Sequence, residues 1–225
     1  MTIVQQRHTA SENRNELPSV MICIPTYNSV ATIGYVLRNI LSQDYPHQKL
    51  HIVIVDNESS DGTVELAKSV LINSSIKHRI VVRRSTVAEA RNICLDLWRD
   101  EDYLVMWESD NITYRDTLRI AVLSAKEKGL DVLGAVWIEK VFQNIEEFEE
   151  FYHRITSSNN NLGEAVEFTC SHYTPLAFTV LSRRFKEKDL RFDPDVTFSD
   201  DVYIGIKANL KGLCVCRIAD LIVYD

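Results

Sequence analysis

Residues 51–62 have the sequence HIVIVDNESSDG, an apolar run that ends abruptly in clustered polar residues. The run is short and rich in β-branched residues, which predicts a strand buried on both faces that turns into a helix. Three similar runs lie at residues 20–24, 79–82 and 103–107. We therefore predict four buried strands in the first half of the chain.

The segments between these strands show helical periodicity. Their apolar residues form three single faces: Ile33, Val36, Leu37, Ile40 and Leu41; Ala90, Ile93, Cys94, Leu97 and Trp98; and Leu118, Ala121, Val122 and Ala125. This alternation predicts an α/β fold with a mostly parallel central sheet flanked by helices. Ligands of such sheets bind beyond the carboxyl ends of the strands, where we expect the functional residues.

The pattern is looser after residue 130. We predict strands at residues 131–137, 175–181 and 213–218, and helices at residues 144–155 and 200–210. The asparagine-rich residues 159–161 predict a mobile loop able to order over a ligand. A length of 225 residues and a hydrophobic content of 45% fit one domain.

Charge and hydropathy exclude several classes of function. The formal net charge of -7 argues against general affinity for nucleic acid or for an acidic membrane face. No apolar stretch reaches the roughly 20 residues that span a bilayer, and the segment up to Asn15 is polar. We predict a cytoplasmic protein with no nucleic-acid partner and no transmembrane segment, leaving room for peripheral membrane contact and for a homodimer.

The five cysteines, Cys23, Cys94, Cys170, Cys214 and Cys216, are odd in number. Three of them lie inside apolar runs, where cysteine packs as a small hydrophobic residue, and the pattern is typical of a reducing compartment. Cys214 and Cys216 alternate along a predicted strand and could in principle hold zinc, but no second pair at finger spacing accompanies them. We interpret the cysteines as packing residues.

The seven glycines form neither a G-x-G-x-x-G motif nor a P-loop. A bound diphosphate then needs a divalent cation, and hard cations prefer carboxylate oxygens. Glu108 and Asp110 follow the strand at 103–107 and, being two residues apart on an extended segment, point the same way. The alternative is a solvated turn that caps the next helix.

Two more polar clusters lie at predicted element ends. The turn at residues 56–61 either contacts a nucleobase and ribose or simply caps a helix. Asp200 and Asp201 begin a predicted helix, where the helix dipole favours carboxylates. If one of them is catalytic, it takes the proton of an acceptor hydroxyl as a general base.

Together these segments resemble glycosyltransferase family 2, the inverting enzymes of the GT-A fold, over residues 20–212. The resemblance rests on ICIPTYN at 22–28, VDNESSD at 55–61, AEARN at 88–92, WESDN at 107–111, and Asp200-Asp201 followed by Gly212. These stretches are similar to the family motifs P-x-Y-N, V-D-D-G-S-x-D, A-x-A-R-N, D-x-D and E-D…K-G. The resemblance implies metal-dependent transfer of a sugar from a UDP- or GDP-sugar to the hydroxyl of a glycan, lipid-linked or protein acceptor.

The resemblance also implies roles for individual residues. Asp110, together with Glu108, would ligate Mn2+ or Mg2+, Asp201 would be the general base, and Asp200 would support it. The residues implied around the donor nucleotide are Pro25, Tyr27, Asp56, Asn57, Arg91 and Glu108.

The same resemblance implies a domain organisation. Residues 18–225 would form one GT-A domain after a flexible tail at 1–17. Within that domain, residues 18–112 would be the nucleotide-binding half and residues 113–225 the acceptor and catalytic half.

Three positions depart from the family pattern. Glu108 replaces the first aspartate of D-x-D, so the resemblance does not decide whether this side chain contacts the ribose. Asn57 replaces an aspartate that would accept the uracil N3–H, which also leaves GDP and dTDP donors open. The family's late metal-binding histidine is absent, and we expect Tyr224 and Asp225 to be a plain chain end rather than its substitutes.

Two other functions stay open. A sugar-phosphate nucleotidyltransferase would carry a glycine-rich loop after its first strand, which residues 25–31 lack. The departures at Asn57 and Glu108 suggest a non-catalytic nucleotide-sugar-binding relative. Outside these motifs, the basic residues at 183–191 are interpreted as a solvated segment, with a phosphate contact as the alternative, and Trp137 as a residue able to stack on a sugar.

Overall fold

The computed structural model describes residues 2–6, 17–160, 165–171, 173, 176–196 and 200–225. The strands are β1 (Thr2–Gln6), β2 (Val20–Thr26), β3 (Leu50–Asp56), β4 (Lys77–Val82), β5 (Tyr103–Trp107), β6 (Ile112–Thr113), β7 (Val132–Ile138), β8 (Ala165–Cys170), β9 (Phe178–Ser182) and β10 (Val215–Tyr224). The helices are α1 (Ile33–Leu41), α2 (Thr63–Leu71), α3 (Val87–Leu97), α4 (Thr117–Lys128), α5 (Ile145–Ser157), α6 (Arg183–Glu187) and α7 (Asp200–Leu210).

The strands join in one sheet with the order β1-β8-β10-β7-β9-β5-β2-β3-β4, and β6 pairs with β10. Strands β4, β3, β2 and β5 are parallel, so their carboxyl ends meet at one edge. Strand β9 runs antiparallel between β5 and β7, and β10 lies parallel to β7. The predicted α/β architecture is confirmed, with antiparallel strands joining the sheet in its second half.

Helices cover both faces of the sheet because the strand residues alternate in direction. Val20, Ile22 and Ile24 of β2 pack into an apolar layer with α1, α2 and α4. Met21 and Cys23 of the same strand pack into a second layer with α3, α6 and α7. Burying each large aliphatic side chain in these layers stabilises the fold by roughly 1.5–3 kcal/mol.

An aromatic cluster fastens α5 beside the end of β10. Phe151 and Tyr152 of α5 are buried, and the Phe151 ring packs edge-on against Tyr224 with centroids 4.9 Å apart. The Tyr152 hydroxyl donates a hydrogen bond to the carbonyl of Tyr35 in α1. This packing fixes the end of β10, which Asp225 directly follows.

Two predictions, one about a strand and one about the N-terminal tail, are wrong in part. The strand at 79–82 is mostly exposed rather than buried on both faces, because β4 forms an edge of the sheet. The tail predicted at 1–17 does not hold for Thr2–Gln6, which pair with β8, or for Leu17, which is buried. The first residues of β1, Thr2, Ile3 and Val4, are of types that favour strands, but the polar residues that follow them led to the prediction of a tail.

The asparagine-rich loop is anchored at one of its residues. Asn160 is buried, and its side-chain amide donates to Asp116 and Thr117 of the α4 N-terminus. Asn161, which was predicted to belong to the same mobile loop, lies outside the described residues. The mobility predicted for residues 159–161 is therefore wrong at Asn160.

Cys23, Cys94 and Cys216 are buried in the apolar layers, as predicted for packing residues, but the prediction missed that four of the five cysteines form disulfides. Cys23 is disulfide-bonded to Cys94, and Cys170 to Cys216, whereas Cys214 is free and exposed. The first bond connects β2 with α3, and the second connects β8 with β10. Spacing along the chain carries no information about such contacts between elements.

Candidate active site

A cleft of about 470 Å³ opens at the carboxyl end of β5. The described residues that line it are Arg91, Glu108, Asp110, Asn111, Trp137, Tyr173, Leu176, Ala177, Asp200, Asp201 and Asp225. The two acidic pairs predicted after β5 and at the start of α7 thus face one cavity. Five carboxylate residues and a single arginine belong to this lining, so the cleft is strongly acidic.

The loop after β5 is pinned by hydrogen bonds that keep its acids at the cleft. The Glu108 N–H and the Asn111 side-chain amide both donate to the carbonyl of Ala177, at 3.2 and 2.9 Å. The buried Trp107 ring donates its Nε1–H to the carbonyl of Asn111, at 3.1 Å. A free solvated turn, the alternative interpretation of this segment, is inconsistent with these contacts.

Arg91 connects the two acidic pairs. It projects from α3, and only 6% of its surface is exposed. Its Nη2 donates to Glu108 Oε1 at 2.6 Å, and its Nη1 donates to Asp200 Oδ2. Its Nε–H is buried and has no partner among the described residues. The guanidinium therefore bridges one carboxylate of each acidic pair, its single positive charge offsets only one of the two negative charges, and its Nε–H is left unused.

Asp110 lies among other acids. The cleft removes water from its carboxyl although the residue as a whole is exposed, and this desolvation is the largest cause that raises its pKa to about 6. The negative charges of Asp225 and Glu108 add to the rise. Asp225 lines the cleft and lies close enough to Asp110 for its charge to act on that carboxyl, so the expectation of a plain chain end is wrong for Asp225.

Asp201 has a different environment from Asp200. The Tyr173 hydroxyl is hydrogen-bonded to the Asp201 carboxylate, and burial, then the Asp201 charge, raises the pKa of Tyr173. Asp201 Oδ1 also accepts from the Val202 N–H at 2.8 Å. Among the described groups, no cation pairs with Asp201, whereas Asp200 is paired with Arg91.

Of the six residues predicted around the donor nucleotide, Arg91 and Glu108 line the cleft. The other four, Pro25, Tyr27, Asp56 and Asn57, lie at the neighbouring ends of β2 and β3, outside its lining. Asp56 is fully buried and accepts hydrogen bonds from Thr26 Oγ1 and from the N–H and hydroxyl of Ser59. Asn57 Oδ1 accepts the Ser85 N–H at 2.9 Å. These contacts hold the turn after β3 in shape and leave the amide N–H groups of Asn57 for other partners.

The loops after β2 and β5 meet beside the cleft. Ser29 Oγ and Ser109 Oγ are 3.0 Å apart, so the nucleoside segment adjoins the acidic loop. Pro25 lies within β2, and Tyr27, directly after that strand, is 60% exposed. The large exposed ring of Tyr27 is therefore available for stacking, whereas Asp56 is not at the surface.

Tyr173 and Asn111 line the cleft but were not predicted from the sequence as site residues. Tyr173 lies in the weakly patterned part of the chain, where no periodic signal exists. Asn111 Oδ1 is a buried acceptor without a partner among the described residues. Asn111 belongs to the WESDN stretch, so its position beside the acidic pair was a signal available from the sequence.

The basic residues at 183–191 make contacts within the protein. Arg184 pairs with the buried Asp131, and Arg191 pairs with Asp96. Arg183 and Lys186 donate to the backbone carbonyls of Arg99 and Trp98. The contacts of Arg183 and Lys186 tie α6 to the segment after α3, and all four of these cations have partners within the protein.

Comparison with known proteins decides the family. The sequence model of "Glycosyl transferase family 2" matches residues 21–187 of this chain. The chain belongs to glycosyl transferase family 2. Among curated members, "Poly(ribitol-phosphate) beta-N-acetylglucosaminyltransferase TarS" of Staphylococcus aureus is 24% identical over 90% of this chain and 34% of its own length. "Beta-monoglucosyldiacylglycerol synthase" of Trichormus variabilis is 30% identical over 65% of this chain and 31% of its length.

The chain spans about a third of the length of these curated relatives. Among solved structures, "Mannosyltransferase PcManGT from Pyrobaculum calidifontis in complex with GDP-Man and Mn2+" superposes with a TM-score of 0.73 at 24% identity, covering 95% of this chain and 58% of that one. S. aureus TarS residues 1-349 with UDP-GlcNAc give 0.69 at 18% identity, covering 92% and 58%. These likenesses show the GT-A fold. No helix of the described residues is long and apolar enough to cross a membrane.

Proposed function

We propose that this chain catalyses the inverting transfer of a sugar from a nucleotide diphosphate sugar to an acceptor hydroxyl. The observation that carries the proposal is the shared cleft, in which Arg91 contacts both Glu108 and Asp200. Donor-side and acceptor-side acids must face each other for one group to be transferred between two bound substrates. Family membership supports the same reaction class.

The acidic donor set fits a divalent cation, Mn2+ or Mg2+. Desolvation, and then the charges of Asp225 and Glu108, raise the pKa of Asp110, and a dication would relieve the repulsion among these acids. We assign Asp110 as the principal ligand, with Glu108 and Asp225 as its companions. Bound there, the cation would stabilise negative charge on the departing nucleotide diphosphate. PcManGT, a structural neighbour, was solved with Mn2+.

Asp201 is the better candidate for the general base. Its carboxylate is not engaged by Arg91, so it is free to accept the proton of an acceptor hydroxyl. Asp200 holds Arg91 in place through their ion pair. Tyr173 orients the Asp201 carboxylate through its hydrogen bond. Trp137, half exposed at the cleft, offers a ring face on which a sugar can stack.

The donor nucleotide would lie along the ends of β2 and β3, within the half formed by residues 18–112. Tyr27 would stack on the base or ribose, and the side-chain N–H groups of Asn57 would donate to a base carbonyl. The neighbours were solved with UDP-GlcNAc and with GDP-Man, so a UDP- or GDP-sugar is the donor class proposed. The acceptor would be a glycan, lipid-linked or protein hydroxyl on the side of residues 113–225.

The proposal is tested by release of UDP or GDP from a panel of nucleotide sugars, with Mn2+, Mg2+ or a chelator. We expect cation-dependent turnover of one donor, reduced by at least roughly 10–100-fold in Asp110→Asn, a loss typical even of groups that only support metal ligands. Asp220→Asn, on an exposed part of β10, is the matched control and should behave as wild type.

Two results would contradict the proposed reaction. Pyrophosphate release from a nucleoside triphosphate and a sugar phosphate would identify a nucleotidyltransferase. Donor binding without turnover, for every donor and acceptor class tried, would identify a non-catalytic relative.

A further inference from the structure

A second cluster of metal-ligating side chains lies outside the cleft lining. Cys170 ends β8 and faces its register partner Cys216 in β10, and Cys214 precedes the same strand. The three sulfurs all lie within 4.8 Å of one another, and the sulfurs of Cys214 and Cys216 are 3.6 Å apart. Cys216 is fully buried, whereas Cys214 is exposed and gives the cluster access to solvent.

The sequence brings the sulfurs to one side of the sheet. Cys214 and Cys216 are two residues apart along an extended segment, so their side chains point the same way. The antiparallel register of β8 and β10 sets Cys170 beside them. The buried Asp131 accepts the Cys214 N–H at 3.0 Å and brings a negative charge next to the cluster.

We propose that Cys170, Cys214 and Cys216 in the reduced protein bind a thiophilic divalent cation such as Zn2+, and that the Cys170–Cys216 disulfide is the oxidised, metal-free state of this site. Reduction by a phosphine opens the disulfide: each sulfur gains one electron and one proton, and the phosphine takes oxygen from water to become its oxide. Binding of the cation then releases the thiol protons.

The geometry and charge of the cluster suit this chemistry. Zn–S bonds of about 2.3 Å in a tetrahedral site place neighbouring sulfurs roughly 3.8 Å apart, with water able to complete the coordination. Cys214 and Cys216 are already close to that separation. Cys23 and Cys94, in the opposite apolar layer, provide an internal comparison.

Titration of the phosphine-reduced chain with Co2+ tests the site, since thiolate ligands produce charge-transfer absorption that the carboxylates of the cleft cannot give. We expect one equivalent of Co2+ to bind with this band and Zn2+ to displace it. Oxidised wild type should lack the band. Cys214→Ser should lose about one third of the intensity, because one of three thiolates is gone.

The double variant Cys23→Ser/Cys94→Ser should keep the full signal. The proposal is overturned if reduced wild type shows no charge-transfer band, if Cys214→Ser matches wild type, or if the oxidised chain gives the same band. None of these outcomes depends on sugar transfer, so they leave the proposed function separately testable.

Discussion

At the level of single residues, the surroundings of Asp110 in the cleft disfavour its charged form. Its pKa rises from 3.8 to about 6 because burial and the neighbouring acids disfavour its charged form. A carboxyl group with a raised pKa in the folded state stabilises that state while protonated, and this contribution is lost as the pH rises from about 4 to 6. Asp110→Asn removes the titration.

We therefore expect metal-free Asp110→Asn to gain thermal stability relative to wild type as the pH is raised from 5 to 7.5. Melting temperatures measured with a chelator at both values check this, because titrations that both proteins share cancel in the difference. Mn2+ should raise the melting temperature of wild type at pH 7.5 and leave the variant unchanged. If the melting temperatures of the two proteins change by the same amount between these pH values, the pKa of Asp110 is not raised.

Asn57 offers a second test at this scale. Its carbonyl already accepts the Ser85 N–H, so a uracil N3–H would have to share that one oxygen with Ser85. An aspartate can satisfy Ser85 with one oxygen and uracil with the other. We expect Asn57→Asp to tighten UDP binding by roughly tenfold relative to GDP, measured by calorimetry with Mn2+. Equal changes for both nucleotides would show that Asn57 does not contact the base.

At the scale of elements, α3 positions Arg91. The Thr86 hydroxyl accepts the Glu89 N–H at 3.2 Å, and the Thr86 N–H donates to Glu89 Oε2 at 2.7 Å. This capping box fixes the first turn of the helix, and the buried Ala88 and Ala90 let α3 approach the sheet. Arg91 thus reaches Glu108 and Asp200 from a rigid support.

Thr86→Ala should lower the free energy of unfolding by about 1 kcal/mol, the usual cost of losing such a cap. Chemical denaturation of the variant measures the loss. Thr86→Ser keeps a hydroxyl acceptor and serves as the control, with stability close to wild type. If Thr86→Ala and Thr86→Ser unfold alike, the hydroxyl does not cap α3.

The sequence predicts well the elements whose periodicity is decided locally. Strands β2, β3 and β5 and helices α1, α3 and α7 agree with their predicted segments because burial on a regular element leaves a regular pattern. Strand β8 and helix α6 were not predicted, since they depend on partners far along the chain. The exposure of β4 likewise follows from its place at the sheet edge, which no local pattern records.

At the scale of the whole molecule, the sheet order brings distant segments together. Strand β9 inserts between β5 and β7, and β10 follows on the far side of β7, which places Asp225 and Asp110 at one cleft. The resemblance of short motifs predicted which acids matter. It could not predict Tyr173 or Asp225 as members of the cleft, or the disulfides between β2 and α3 and between β8 and β10, because those contacts arise only when the elements are folded together.

The proposed division of roles between Asp201 and Asp200 is tested by single-turnover transfer in Asp201→Asn and in Asp200→Asn, together with donor affinity in Mn2+. We expect Asp201→Asn to bind donor like wild type and to transfer sugar roughly 10²–10⁴-fold more slowly, as expected for loss of a general base. Asp200→Asn, which removes one of the two carboxylates paired with Arg91, should be impaired less. Transfer by Asp201→Asn at the wild-type rate would show that Asp201 is not the general base.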